Sequence, residues 1–125
     1  MTDYQKQAEL SRKNDLTSVN VSSDTYAKQK ALTALLEEAG ADLVGVADVK
    51  GLLPASLKDL THAISIAVHL SDRIIEEISE REGPTQTYFH HYRTINTLLD
   101  QLALQGMLQI QRWGYGAMAI PASQS

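Results

Sequence analysis

Residues 84–113, PTQTYFHHYRTINTLLDQLALQGMLQIQRW, constrain what this chain can fold into more than any other stretch. Gly83-Pro84 offers a helix start, because proline suits the first helical position, where its missing N–H costs nothing. Gly114 offers a stop, since glycine takes the left-handed conformation after a helix cheaply. Between them Tyr88, Tyr92, Ile95, Leu99 and Leu102 recur at spacings of four and three, and Leu98, Ala103, Met107 and Ile110 widen the stripe. That spacing predicts one helix burying a broad face. At 1.5 Å per residue it is about 40 Å long, enough to cross a domain of this size. Leu99 and Leu102 fall mid-stripe and are expected in the core. Gly106 sits on the same seam where a bulky residue is expected, so another backbone is predicted to pack close there.

The remaining elements follow from shorter signals. Residues 1–23 are polar and mixed in charge, and read as a disordered or frayed leader. A single domain is expected over residues 24–125. Ser22-Ser23-Asp24 offers N-cap oxygens. Ala31, Leu32, Leu35, Leu36 and Ala39 then mark a helical face closed by Gly40. The run 41–47 fits a buried strand, with Gly45 marking a close approach or bulge. In 62–70, His62, Ile64, Ile66, Val68 and Leu70 alternate with Ala63, Ser65, Ala67 and His69, the period of a strand. The small residues on its second face predict a helix packed close against it. Ser71-Asp72 caps a helix through Ile74, Ile75 and Ile78. Residues 115–120 read as a third strand, stopped by Pro121. The order is α-β-β-α-α-β: an α/β (α+β) unit with a small sheet of about three strands, one long helix and two shorter ones. Such a sheet has two open edges, which natural proteins cover or pair. A further segment or a second copy is therefore expected to complete it, with a homodimer the simplest closure.

Composition removes several function classes. The chain has 125 residues and a net charge of −4, so nothing in its charge favours nucleic acid or an anionic membrane. Its apolar runs fall short of the roughly 20 residues of a spanning helix, and the polar start lacks a signal-peptide core. A cytoplasmic setting is the default expectation. With no cysteine, disulfides, thiolate nucleophiles and cysteine-ligated clusters are excluded within the chain.

The densest cluster of functional side chains is Tyr88, His90, His91, Tyr92 and Arg93. Neighbouring helical positions point about 100° apart, so His90 and His91 are poorly placed to share one metal ion; helical metal pairs sit at i and i+4. One half-buried and one surface histidine is the plainer expectation. His69 ends a strand before a capped helix, a place where layered α/β proteins often line a ligand crevice. Arg93 suits a carboxylate or phosphate, or a neighbouring acid. No nucleophile–base pair, P-loop or dinucleotide fingerprint is present, so hydrolytic catalysis has no residue set to carry it.

Taken in order, GADLVGVAD (40–48), HAISIAVHLSDRIIEEI (62–78) and YFHHYRTINTLLDQLA (88–103) running on to WGYGAMAIPASQ (113–124) resemble the N-terminal part of iron–sulfur proteins related to epoxyqueuosine reductase. That family is in turn similar to the corrinoid-dependent reductive dehalogenases. The resemblance spans residues 25–125. It implies the front half of a nitroreductase-like cofactor domain. In the family a corrinoid lies in that domain, and two four-iron clusters are held by a cysteine-rich segment further along. The matching positions Tyr88, His91, Tyr92, Arg93, Pro121, Ala122, Ser123 and Gln124 would face the cofactor. The residues before Ser125 contain no cluster ligands, so the chain is expected not to be an enzyme by itself. Its expected partner is the missing C-terminal iron–sulfur segment. The alternative is a non-catalytic module that dimerises or binds a partner.

Overall fold

The computed structural model describes residues 23–80, 83 and 85–122. The leader before Ser23, the cap oxygens expected at Ser22, Pro84, Ser123 and Gln124 lie outside the described residues. Helix α1 (Ser23–Glu38), strand β1 (Leu43–Asp48), strand β2 (His62–Ala67), helix α2 (Asp72–Glu80) and helix α3 (Gln86–Arg112) follow in order, with a short 3-10 turn, Ala55–Leu57, between the strands. The fold is mixed α and β. None of its described helices is long and apolar enough to cross a membrane.

Both expected glycine stops are used. After α1, Gly40 adopts φ 126°. Its N–H donates to the Glu37 carbonyl and the Ala41 N–H to that of Leu36, at 3.1 and 2.9 Å. After α3, Gly114 adopts φ 94°, donates to Gln111 at 2.9 Å, and Tyr115 donates to Ile110 at 3.2 Å. Each pair is a Schellman closure, which satisfies helix carbonyls that otherwise lack a donor. The start of α3 differs from the expectation. Gln86 is its first residue, and the Thr85 hydroxyl accepts from the Tyr88 N–H at 3.1 Å. A threonine side chain that satisfies an orphan amide wins over a proline that merely tolerates the position.

The two strands pair antiparallel, Leu43 opposite Ala67 and Asp48 opposite His62. This register puts Val44 beside Ile66 and Val46 beside Ile64, on the face that α1 and α3 cover. Leu32, Leu36, Ala41, Val44 and Leu102 form the buried centre, with Leu98, Ile64, Ile66 and Trp113 packed around it. Leu36 and Leu102 are fully buried. Leu99 is only half-buried. On α1, Ala31 is exposed and Thr33 is buried in its place.

Three expectations need correction. The sheet among the described residues has two strands, not three. Residues 115–120 have no regular secondary structure and form no ladder with any described strand. The segment is held at its ends, by the Tyr115 amide on Ile110 and by the Ala122 amide on the Asp100 carboxylate at 2.7 Å. Second, no described helix covers the small-residue face: Ala63, Ser65 and Ala67 are exposed, because both helices that touch the sheet lie on its other side. Third, the described atoms nearest to Gly106 from outside α3 are side chains, not backbone. A Cβ built there meets only the Leu36 and Leu32 side chains, at 3.8 to 4.0 Å.

Candidate functional site

The missing third strand leaves a groove. One side is β2 and the residues before it (Leu57, His62, Ile64), the other is the segment 115–120 with Met118 and Ile120, and α3 contributes Ala103 and Gly106. Its volume is ≈ 520 Å³. Most of the side chains that line it are apolar. A second hollow of ≈ 360 Å³ adjoins it at the far end, sharing Ile64, Ile66, Ala103 and Ile120, and adds Tyr92, Asn96 and Ala122.

The eight positions taken from the family resemblance do not all meet there. Tyr92 and Ala122 both line the smaller hollow. Tyr88 stands behind Tyr92, with ring centroids 6.1 Å apart, and meets Phe89 edge-on at 5.6 Å. His91 points elsewhere. Its Nε2 accepts a hydrogen bond from the Ser71 amide at 2.9 Å, so it ties α3 to the start of α2. An accepting Nε2 requires the neutral ring with its proton on Nδ1. His90 and Arg93 are exposed, and Pro121 is exposed at the groove's rim.

His69 is engaged by two carboxylates. Its backbone N–H donates to Asp42 Oδ2 at 2.7 Å, and its Nε2 lies 2.7 Å from Asp72 Oδ1. The first contact locks the start of β1 to the end of β2. The second sits in the first turn of α2, where a carboxylate also meets the favourable end of the helix dipole. Asp72 is 81% exposed, so this pair is screened by water. Among the described residues no three His, Asp or Glu side chains are grouped to hold a metal ion.

At the other end of the groove Lys28 donates to the Tyr115 hydroxyl at 3.2 Å and to Asp24 Oδ2 at 3.0 Å, and lies 5.0 Å from the Tyr115 ring centroid. The bond to Asp24 first, and that to Tyr115 second, hold the Lys28 ammonium above its ordinary pKa. Lys28 thereby pins the start of α1 to the mouth of the groove.

Sequence reasoning missed most of the groove lining, including Leu57, Ile64, Met118 and Asn96. Asn96 had a readable signal: it is polar, lies one turn after Tyr92 on the apolar stripe, and is 6% exposed. Leu57 falls in a connection, and Ile64 and Met118 in expected strands, so nothing marks the three as lining a site. The Ala122 amide is bonded to Asp100, and the His91 ring accepts from Ser71 away from the groove. The groove is a mostly aliphatic trough with Asp59, His62 and Tyr115 among its lining and Tyr92 and Asn96 in the adjoining hollow, and it can hold an apolar segment or one face of a flat ligand. The chain matches no protein-family model, no curated protein and no solved structure.

Proposed function

We propose that this chain is the N-terminal subdomain of an epoxyqueuosine reductase-like iron–sulfur and corrinoid oxidoreductase, and is not catalytic alone. The observation that carries the reading is the hollow between Tyr92 and Ala122. These two positions, from motifs 30 residues apart in the chain, are among those that the family resemblance points toward the cofactor, and they line one open cavity. An open trough offers a wall rather than a pocket, and ligand sites gain affinity by burying most of the ligand.

The chain's own residues fit such a cofactor in part. Tyr92, Asn96 and the aliphatic floor suit one face of a large ring, while nothing in the chain ligates a four-iron cluster, since cysteine is absent. A corrinoid, when bound, supplies a redox-active cobalt; the residues here would orient it and exclude water from one side. The remaining wall and the cluster ligands belong to a further segment or a partner chain. This reading places the protein in the cytoplasm.

A second reading, a non-catalytic homodimerising module, draws on a specific feature. Phe89, Leu104 and Leu108 on α3 are 49, 46 and 40% exposed and fall within one stripe of its outer face. Apolar surface of this kind marks contact sites when contiguous. Reading the genomic DNA beyond the Ser125 codon separates the two. A frame continuing into CxxCxxCxxxCP runs supports the oxidoreductase subdomain. An immediate stop codon with no adjacent cysteine-rich reading frame would refute it in favour of the module.

A further inference from the structure

The larger groove has two unlike ends. Gly116 lies beside Leu60: a Cβ there would sit 4.0 Å from Leu60 Cδ2. Residues 115–116 therefore meet 59–62 at one end. Every polar side chain that lines the groove, namely Asp59, Thr61, His62 and Tyr115, belongs to these two stretches. At the other end Ile66, Ala103 and Ile120 are shared with the smaller hollow, and no charged residue lines either space there. The site thus has a polar head and an aliphatic body.

Charge at the polar end is not balanced. Lys28 donates to the Tyr115 hydroxyl at 3.2 Å, but its ammonium also meets Asp24 at 3.0 Å, so that charge has its counter-ion. The His62 ring is engaged with the Thr61 hydroxyl at 2.8 Å. Asp59 differs. Among the described residues its carboxylate has neither an ion pair nor a hydrogen bond, and the adjacent Lys58 does not reach it. It is also the sole charged residue in the lining. One uncompensated negative charge therefore stands at the head of an aliphatic trough.

We infer that the larger groove binds an amphipathic primary amine, with its aliphatic chain along β2 and α3 and its ammonium at Asp59. The volume of ≈ 520 Å³ lies within the range of about 300–1,000 Å³ typical of small-molecule sites. The lining also has their usual make-up, mostly apolar side chains with a few polar groups that fix orientation. The body of the ligand supplies affinity, since each methylene removed from water is worth up to about fourfold. The head supplies selectivity. An ammonium gains the unmatched Asp59 carboxylate, an alcohol gains only a neutral contact, and a carboxylate meets a like charge. The oxidoreductase reading rests on the smaller hollow, so the two stand or fall separately.

The test uses the full chain, isotope-labelled, at about pH 8, where a primary alkylamine is still charged. It is titrated with decylamine, decanol and decanoate, each below its aggregation concentration, and followed by amide and methyl shifts. Decylamine is expected to give saturable shifts at Ile64, Gly116, Met118 and Ile120. Decanol should bind at the same place about two- to fivefold more weakly, the worth of an exposed ion pair, and decanoate more weakly still. Hexylamine should lose up to about fourfold for each missing methylene that the groove buries. Asp59→Asn, a change at an exposed position, should bring decylamine down to decanol while leaving decanol unchanged. Decanoate binding as tightly as decylamine would overturn the inference, as would an amine preference that survives Asp59→Asn. So would shifts confined to Phe89, Leu104 and Leu108 on the outer face of α3, or no saturable shift with any of the probes.

Discussion

Replacing Gly106 by alanine should stabilise this protein. The residue is buried in the middle of α3, in ordinary helical conformation. A Cβ added there would lie 3.8 and 3.9 Å from the Leu36 methyls and 4.0 Å from a Leu32 methyl. These are ordinary van der Waals distances, and every neighbour is a side-chain end rather than backbone. Glycine costs a helix interior about 0.8–1 kcal/mol relative to alanine, and the new methyl adds a fraction of the roughly 0.8 kcal/mol of a buried CH₂. A gain of about 1–1.5 kcal/mol follows. For a domain of this size each kcal/mol raises the Tm by about 4 °C. Leucine at the same site should reverse the sign, since three more carbons must enter the space of Leu32 and Leu36; overpacking of this kind costs about 1–3 kcal/mol. Urea unfolding with unchanged m-values, or scanning calorimetry, reads both variants. An alanine variant destabilised by more than about 0.5 kcal/mol would refute the reasoning, because it would require closer packing at Gly106 than the side-chain contacts described.

Four further outcomes follow from named contacts. Leu102→Ala should cost about 2–5 kcal/mol in urea unfolding, and Leu99→Ala clearly less, because Leu102 is fully buried and Leu99 faces the groove. His91→Phe should cost about 1–3 kcal/mol by leaving the Ser71 amide without its acceptor, and His91→Gln should recover part of that loss; equal losses would show that the bond is unimportant. Thr85→Ala should cost about 1 kcal/mol and fray the first turn of α3, read by exchange at the Tyr88 amide. The raised Lys28 pKa gives a stabilisation that is fully present below the ordinary lysine pKa and is lost only as pH rises through the higher folded value. The stability difference between the wild type and Lys28→Met should therefore be flat through neutral pH and shrink only in strong alkali.

The elements with self-contained signals were legible in the sequence. The apolar stripe of α3, the alternation of β2 and the two closing glycines each record a local period or a local backbone need, and the structure uses all of them. What was not legible depends on partners. Residues 115–120 have strand-like residues, but a ladder needs a neighbour at the right distance, and β2 stands a groove away from them. Ala63, Ser65 and Ala67 are small enough to admit a helix, yet small residues also tolerate water, and pattern alone does not separate these cases. His91 carries no mark of the Ser71 amide, twenty residues back, and Asp100 none of Ala122. At the candidate site Tyr92 and Ala122, two of the positions that the family resemblance singles out, line one cavity, whereas the His91 ring is bonded to the Ser71 amide and Arg93 is exposed. The reading of Gly106 failed for a related reason: a small residue on an apolar seam admits large side chains from the facing helix as readily as a backbone.

The central claim is that this chain provides one wall of a cofactor site and not a complete one. Titrating the purified chain with a cobalamin, and separately with a flavin, while following visible absorbance tests it directly. One open wall should bury too little of either ligand for tight binding. The account predicts a shallow change without saturation through the micromolar range, reduced further by Tyr92→Ala for the corrinoid. Saturable, near-stoichiometric binding with submicromolar affinity for either ligand would contradict it and make the groove a cofactor site in its own right.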